Sequence, residues 1–211
     1  MTNLPAARTA EFWDAHYSQR PQIWSGRPNG ILVDEVTDLT PGRALDIGCG
    51  EGADAIWLAR QGWHVTAVDV SRTALERGAT AAKEAGVDAL LEWQWHDLAH
   101  TFPSGVYDLV NAQYLHAPIE LPRDEILRRA ASVVGPGGTL LVVGHASAPP
   151  WARHGHEHGE FPQPDEVARA LRLPESDWVL VTSEVRSRVT VGPNGEPATV
   201  SDSVVKARLR D

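Results

Sequence analysis

Glycines and acids between Arg43 and Ser71 have the spacing of a nucleotide-binding turn. The segment reads RALDIGCGEGADAIWLARQGWHVTAVDVS, with Gly48 and Gly50 in its turn. Glycines let a ligand approach the backbone, because no Cβ intervenes. Asp46 precedes the turn, and Asp69 ends the next apolar run, where a carboxylate can bind the two hydroxyls of a ribose. The spacing therefore predicts a site for a ligand that contains adenosine.

The charge of Asp46 narrows the choice of ligand. Asp46 lies two residues before Gly48, where a dinucleotide would place its pyrophosphate, and two anions in a partly dry turn repel each other. S-adenosylmethionine has no phosphate and carries an ammonium and a sulfonium, which a carboxylate attracts. The turn therefore favours S-adenosylmethionine and disfavours an NAD-linked oxidoreductase. A buried aspartate in an ordinary α/β turn is the structural alternative.

The elements that position these residues follow from the apolar periodicity. Short apolar runs predict strands, and apolar residues at helical spacing predict the helices between them. Strands separated by helices pair in parallel through right-handed crossovers. Strands are expected at 44–47, 65–68, 89–95, 106–111 and 139–143, and helices at 9–18, from 31, at 53–60, from Ser71 to 85, and at 123–134.

The end of the chain breaks this alternation. Two strand-like runs, 177–191 and 198–209, flank the sequence GPNG at 192–195, which is a hairpin signal. A chain of 211 residues suits one domain with a sizeable core. We therefore expect a single α/β domain over residues 1–211 that ends in an antiparallel pair.

DIGCGEG followed by AVDVS resembles the first two motifs of the class I S-adenosylmethionine-dependent methyltransferases. The resemblance covers most of the chain. It implies a doubly wound, mostly parallel seven-stranded sheet in the order 3-2-1-4-5-7-6, with the last strand antiparallel and helices on both faces. It also implies transfer of a methyl group to a small-molecule S, N, O or chalcogen nucleophile, with S-adenosyl-L-homocysteine as the product.

A narrower resemblance concerns the N-terminus. FWDAHY, WSGRPN and the glycine motif together are similar to small bacterial methyltransferases of the tellurite-resistance and thiopurine-methyltransferase-like group. In that group the N-terminal segment folds over the cofactor. The resemblance therefore implies that residues 1–40 form a helical cover in which Trp13, Tyr17 and Trp24 are candidate lid residues.

The family also implies which residues hold the cofactor. An acid after the third strand is where class I methyltransferases hold the adenine amino group, with an apolar neighbour beside the ring, and Asp97 and Leu98 match this pattern. Asp97 as a plain helix cap is the alternative. The predicted cofactor-binding residues are Trp24, Asp46, Gly48, Gly50, Asp69, Val70, Asp97, Leu98 and Gln113.

Residues after the fourth strand are expected to face the methyl acceptor, since ligands bind at the carboxyl ends of the strands beside the order reversal. Methyl transfer from a sulfonium is an in-line displacement, so the protein mainly orients the reactants and excludes water. A phenol or alcohol acceptor also benefits from a base, and His116 is the candidate; a solvated loop histidine is the alternative. The predicted substrate contacts are Tyr17, His116, His145 and Trp151.

Three alternating histidines, His154, His156 and His158, lie in a loop at 146–164. Side chains that alternate on an extended segment point to the same side and could share a metal. A metal-dependent enzyme that uses this loop is therefore one alternative function, and a non-catalytic S-adenosylmethionine-binding protein is another. The glycines and prolines of the loop favour a substrate lid, with Trp151 and Phe161 as apolar walls, so no metal site is predicted.

Composition limits the partners. Nineteen Lys and Arg against 28 Asp and Glu leave a net charge of −9. The sequence has no cluster of basic residues that could bind a phosphate backbone, so a nucleic-acid partner is not expected. The single Cys49 excludes an internal disulfide. The sequence has no apolar run long enough for a membrane span, and a cytoplasmic location is expected. The predicted partner is a small-molecule methyl acceptor, with the protein a monomer or homodimer.

Overall fold

A single sheet of seven strands organises the chain. The computed structural model describes residues 6–117, 120–151, 161–192 and 195–211. The elements in chain order are α1 (Ala6–Ser18), α2 (Gly30–Val36), β1 (Arg43–Ile47), α3 (Ala53–Arg60), β2 (His64–Asp69), α4 (Arg72–Glu84), a 3-10 turn (Asp88–Leu90), β3 (Leu91–Trp95), β4 (Tyr107–Gln113), α5 (Arg123–Ser132), β5 (Val134–His145), α6 (Pro164–Leu171), β6 (Trp178–Val191) and β7 (Pro197–Leu209).

The strand order is β3-β2-β1-β4-β5-β7-β6, as predicted. The first five strands pair in parallel, and β7 runs antiparallel to both β5 and β6. Strand β1 lies between β2 and β4, with Ile47 level with Val68 and with Ala112. The glycine turn after β1 therefore begins at the carboxyl edge of the sheet, where the strand order reverses.

Apolar side chains cover both faces of the sheet. On one face α5 and α6 pack on β1, β4, β5 and β7, and on the other α2 and α3 pack on the same sheet. The prediction of helices on both faces is confirmed. Helix α2 is thus part of the core, whereas α1 contacts α4 at the edge of the sheet. Within the described residues, no helix combines the length and the apolar character that a bilayer crossing requires.

The start of α4 agrees with the sequence prediction. The Ser71 hydroxyl accepts a hydrogen bond from the Ala74 amide at 3.1 Å, which satisfies one of the free amides at the helix N-terminus. Helix α4 ends at Glu84, and Gly86 beyond it has a φ of 69°. A glycine accepts this left-handed conformation at little cost, so the chain leaves the helix there.

Several boundaries differ from the prediction, most of all those around β4, α5 and β5. Strand β4 continues to Gln113 instead of ending at Asn111, because Ala112 and Gln113 still pair with Val142 and Val143 of β5. Helix α5 ends at Ser132, and the sequence GPGG at 135–138 belongs to β5. The register between β4 and β5 shifts there, so the glycines form an irregularity inside the strand and not a turn before it.

The β6–β7 hairpin is longer than the strand beside it. Strand β5 ends at His145, which is level with Asp202, whereas β7 begins five residues earlier, at Pro197, and pairs there only with β6. The hairpin therefore extends beyond the carboxyl edge of β5. This extension brings Arg188 of β6 to the cavity described below.

Candidate functional site

A cavity of about 540 Å³ lies at the carboxyl edge of the sheet. The glycine turn, the ends of β2, β3, β4 and β5, and helix α1 with the loop after it surround this cavity. Of the predicted site residues, those that line it are Tyr17, Trp24, Asp46, Gly48, Gly50, Asp69, Val70, Asp97, Leu98, Gln113, His116 and His145. One cavity thus contains all nine predicted cofactor-binding residues and three of the four predicted substrate contacts, Tyr17, His116 and His145.

The glycine turn is held by backbone hydrogen bonds and by one carboxylate. The Cys49 amide donates to the Val68 carbonyl at 2.9 Å, and the Gly50 amide donates to Oδ2 of Asp69 at 2.8 Å. Gly48 and Gly50 have φ values of 69° and 54°, in the left-handed region that favours glycine. A Cβ on Gly50 would lie 2.9 Å from the hydroxyl oxygen of Tyr17. Glycine is therefore required here by conformation and by space.

We expect Gly50→Ala to loosen the N-terminal cover. Gly86→Ala is the matched control, because Gly86 has a similar positive φ but no atom within 4 Å of an added Cβ. Both variants should lose about 1–2 kcal/mol from backbone strain, measured by urea unfolding. Only Gly50→Ala should also become sensitive to trypsin at Arg20 and Arg27, in the loop after α1. Equal trypsin sensitivity in both variants would contradict the contact with Tyr17.

Three buried carboxylates meet beside the glycine turn: Asp46, Asp54 and Asp69. Burial raises the pKa of Asp46 well above its usual range, and the charges of Asp54 and Asp69 raise it further. A hydrogen bond from Asn111 lowers the pKa but does not offset these effects. Burial also raises the pKa of Asp54 and of Asp69, although each accepts hydrogen bonds. A cation placed among these groups would stabilise their ionised forms.

A chain of hydrogen bonds connects Asp46 to the end of β4. Oδ1 of Asp46 accepts from Nδ2 of Asn111 at 2.8 Å, and Oδ1 of Asn111 accepts from Nε2 of Gln113 at 2.8 Å. Oδ2 of Asp46 and Oε1 of Gln113 are buried and have no hydrogen-bond partner among the described residues. Two buried acceptors therefore remain available to a bound donor at this end of the cavity.

Asp97 and Leu98 form the opposite end of the cavity, after β3. Oδ1 of Asp97 accepts from the Ala99 amide at 3.1 Å, so this oxygen begins the turn after the strand. Oδ2 lies 3.2 Å from Nδ1 of His100, but the geometry of that contact is not a hydrogen bond. The apolar side chain of Leu98 is buried beside it. The pair thus presents a carboxylate oxygen and an apolar surface to the cavity.

The N-terminal loop is held over the glycine turn by Glu51. The Glu51 carboxylate accepts from the amides of Ile23 and Trp24 at 3.0–3.2 Å, and Nη1 of Arg77 donates to it at 2.9 Å. The Trp24 indole donates to the Tyr17 hydroxyl at 3.1 Å. Burial, and then the charge of Asp69, raise the pKa of Tyr17, which keeps this phenol neutral. The Tyr17 hydroxyl lies beside Gly50, so this side chain packs against the glycine turn.

The end of the cavity after β4 and β5, which was predicted to face the methyl acceptor and is called the acceptor end below, contains two stacked histidines. The rings of His116 and His145 lie 5.7 Å apart and nearly parallel. Nε2 of His116 accepts from the backbone amide of His145 at 3.2 Å. Burial, and then Arg123 and His145, lower the pKa of His116 to about 4, so its ring is neutral at pH 7 with the hydrogen on Nδ1. His116 can act as the predicted base only if this hydrogen bond breaks.

Two other predicted features lie away from this cavity or outside the described residues. Trp151 is partly exposed and is absent from the described residues that line the cavity. His154, His156 and His158 lie outside the described residues. Among the residues that the structure does describe, no group of three or more His, Cys, Asp or Glu side chains is placed to hold a metal ion.

Several site residues were missed by sequence reasoning. Glu51 and Asp54 lie inside or directly after the glycine motif, so their position in the sequence could have indicated that they belong to the site. The Asn29 amide and side chain each donate to Asp54 at 2.7 Å, and no local pattern marks Asn29. Asp202 and Arg188 come from the terminal hairpin, and Asp202 is far in sequence from His145, the β5 residue level with it. Only the strand register brings Arg188 to the cavity and places the buried Asp202 behind His145.

Comparison with known proteins gives relatives over most of the chain. Residues 44–138 match a family model described as a methyltransferase domain. A ubiquinone biosynthesis O-methyltransferase of Xanthomonas campestris pv. campestris (strain B100) is 31% identical over 191 residues, which cover 81% of this chain and 77% of that protein. Methyltransferase GfsG of Streptomyces halstedii is 30% identical over 136 residues, 63% of this chain. The match spans 48% of GfsG and 57% of a ubiquinone biosynthesis O-methyltransferase of Aeromonas salmonicida (strain A449), so the chain spans about half the length of these two relatives.

Solved structures share the fold. One, described as "Conversion of a Disulfide Bond into a Thioacetal Group during Echinomycin Biosynthesis", has a TM-score of 0.71 and 24% identity over 95% of this chain and 93% of its own. TehB from Haemophilus influenzae has a TM-score of 0.67 and 16% identity over 96% of this chain and 67% of its own. At these identities the similarity concerns the fold alone, so the narrower tellurite-resistance resemblance stays a prediction.

Proposed function

Because this chain belongs to the class I S-adenosylmethionine-dependent methyltransferases, we propose that it transfers a methyl group from S-adenosylmethionine to a small-molecule nucleophile. The observation that carries the proposal is the group of three buried carboxylates, Asp46, Asp54 and Asp69, beside the glycine turn. Burial raises the pKa values of all three, and for Asp46 the charges of the other two add to this, so a bound cation would stabilise the ionised forms. The ammonium and sulfonium of S-adenosylmethionine supply such a positive charge, whereas a pyrophosphate would add to the repulsion.

The residues present fit this cofactor along the whole cavity. Asp69, which ends β2, would bind the ribose hydroxyls, and Asp97 with Leu98 would hold the adenine. The unpartnered Oδ2 of Asp46 would accept from the ammonium of the methionine part. Gly48 and Gly50 allow the ligand to contact the backbone directly. When bound, S-adenosylmethionine supplies a methyl group made electrophilic by the sulfonium.

The protein's own contribution is to orient the acceptor and to exclude water. Trp24, Tyr17 and Glu51 close the cofactor side of the cavity through the hydrogen bonds described above. Gln113, Tyr114 and the two histidines form the opposite wall. The cavity volume of about 540 Å³ is typical of small-molecule sites, and it must hold both cofactor and acceptor. Size and the net charge of −9 both favour a small acceptor over a nucleic acid.

The test is a methyl-donor assay with a chemically varied acceptor panel. Purified protein is incubated with S-adenosylmethionine and phenols, alcohols, thiols, heteroaromatic amines or chalcogen oxyanions, and the product is identified by mass. We expect S-adenosylhomocysteine and one methylated acceptor class. Tight binding of S-adenosylmethionine by calorimetry without turnover on any acceptor would instead favour a protein that only binds the cofactor.

A further inference from the structure

Asp202 is a buried carboxylate that three side chains of the acceptor end contact. It lies in β7, directly across from His145 of β5. Oδ1 lies 3.1 Å from Nδ1 of His145, and Oδ2 accepts from the Tyr114 hydroxyl at 2.9 Å and from Nε of Arg188 at 2.5 Å. Burial raises the pKa of Asp202, but these three contacts outweigh it and lower the pKa, so Asp202 is ionised at neutral pH.

An ionised Asp202 determines which nitrogen of His145 carries the hydrogen. A carboxylate can only accept a hydrogen bond, so Nδ1 of His145 must donate. In the neutral form of this ring, the lone pair is then on Nε2. No hydrogen bond to Nε2 occurs among the described residues, and His145 lines the cavity. His145 therefore has a free proton acceptor at the acceptor end.

Tyr114 and Gly144 hold this arrangement in place. Tyr114 directly follows β4 and has a φ of 50°, a left-handed conformation that few side chains adopt, and its ring lies 4.6 Å from that of His145. A Cβ on Gly144 would lie 3.0 Å from Nε2 of His116. Glycine thus permits His116 to approach the β5 backbone. There the His145 amide donates a hydrogen bond to Nε2 of His116, so this nitrogen is not free to accept a proton. Of the two rings, only that of His145 keeps an acceptor free.

We propose that His145, positioned by Asp202, is the general base of this site and that the methyl acceptor is a hydroxyl group, a phenol or an alcohol. The inference rests on the proposed methyltransferase function and names its acceptor class. A thiol that is already ionised needs no base, whereas a hydroxyl gains from one. A histidine that lines the cavity and is held from behind by a buried carboxylate is thus matched to a hydroxyl. His145 replaces His116 in the role that the sequence suggested.

The proposed step balances in protons and electrons. The acceptor O–H bond breaks, and its proton moves to Nε2 of His145. The oxygen forms the new bond to the methyl carbon with the electron pair that it keeps, and the pair of the broken C–S bond stays on sulfur. The sulfonium charge is lost, and an imidazolium charge appears on His145. Asp202 stabilises that imidazolium through its contact with Nδ1 of His145.

The first test needs no acceptor. Long-range 1H–15N correlation spectra of histidine-labelled protein report the tautomer of each neutral imidazole. We expect the Nδ1–H tautomer for His145 in the wild type, and a shift toward the Nε2–H tautomer in Asp202→Asn, where the amide can also donate. His64→Gln, in an exposed residue at the start of β2, is the matched control and should leave the His145 signals unchanged. An Nε2–H tautomer in the wild type would overturn the inference.

The second test compares acceptors that differ in their need for a base. Catechol serves as the hydroxyl probe and benzenethiol as the thiol probe. We expect His145→Gln to lower kcat for catechol by about 100-fold or more, the size of a general-base contribution, and to change the rate with benzenethiol little. Because Asp202→Asn could impair folding, the conclusion depends on His145→Gln, with His64→Gln as the control.

The outcomes separate this inference from the proposed function. Equal losses on the two probes, or wild-type turnover of benzenethiol but not of any hydroxyl in the panel, would overturn the assignment of His145. Binding of S-adenosylhomocysteine without turnover of any probe would count against the proposed function itself. In that case the His145 tautomer decides whether the Asp202–His145 pair exists as described.

Discussion

Replacing Asp69 by asparagine is expected to lower the affinity for S-adenosylmethionine and for S-adenosylhomocysteine equally, by about 100-fold. The proposed contact is to the ribose, which both ligands contain. Two hydrogen bonds to a charged acceptor are worth about 1.5–3 kcal/mol each. A neutral amide retains part of this binding free energy, so we expect a loss of about 3 kcal/mol. Titration calorimetry with each ligand measures the change.

The Asp69→Asn result must be separated from damage to the turn, because Asp69 also accepts from the amides of Gly50 and Ser71 at 2.8 and 2.9 Å. The amide oxygen of asparagine can keep one of these bonds. Thermal unfolding of the ligand-free variant should therefore remain cooperative, and Asp38→Asn, in an exposed residue after α2, should bind both ligands normally. Unchanged affinity in a folded Asp69→Asn variant would remove the ribose assignment.

Replacing Asp46 by asparagine is expected to have opposite effects on stability and on binding. The pKa of Asp46 is raised in the folded state, so the native protein holds this proton more tightly than the unfolded chain does. Stability therefore falls as the pH rises from the unfolded pKa of about 3.9 through the folded pKa. Asparagine cannot ionise, so the ligand-free variant should be more stable than the wild type at pH 8 and should lose less stability between pH 5 and pH 8.

The same change should weaken the binding of S-adenosylmethionine, because the cation loses one of the carboxylates that attract it. We expect a loss of 10-fold or more at pH 8, about 1.4 kcal/mol, and a smaller loss at pH 5, where the wild-type carboxyl binds a proton that the ligand must displace. Urea unfolding and calorimetry at the two pH values measure both effects.

Asp108→Asn is a suitable control for Asp46→Asn. Asp108 is exposed and accepts from the Arg43 amide at 2.7 Å at the other end of β1. Its replacement should change neither the affinity for S-adenosylmethionine nor the dependence of stability on pH in the range from 5 to 8. If Asp46→Asn destabilises the ligand-free protein at pH 8, the pKa of Asp46 is not raised in the folded state and the prediction is wrong.

The glycine turn and the acids that line the cavity beside it were predictable from local patterns. The apolar runs, the glycine motif and the acids that end β1 and β2 all lie within one βαβ unit, so residues close in sequence are also close in space. The order 3-2-1-4-5-7-6 followed from the resemblance that these motifs support, and it is confirmed. The boundaries at Gln113 and at GPGG were wrong, because pairing between β4 and β5 decides them and neither segment shows it alone.

The sequence by itself determined the fold, the glycine turn and the acids Asp46, Asp69 and Asp97, because a strand followed by a turn places its next side chain at the sheet edge. Only the tertiary structure decided the acceptor end. His145 and Asp202 are 57 positions apart, and they meet because β7 returns antiparallel beside β5 with one particular register. A shift of that register by one residue would turn Asp202 to the other face of the sheet, so no local pattern could have revealed the pair.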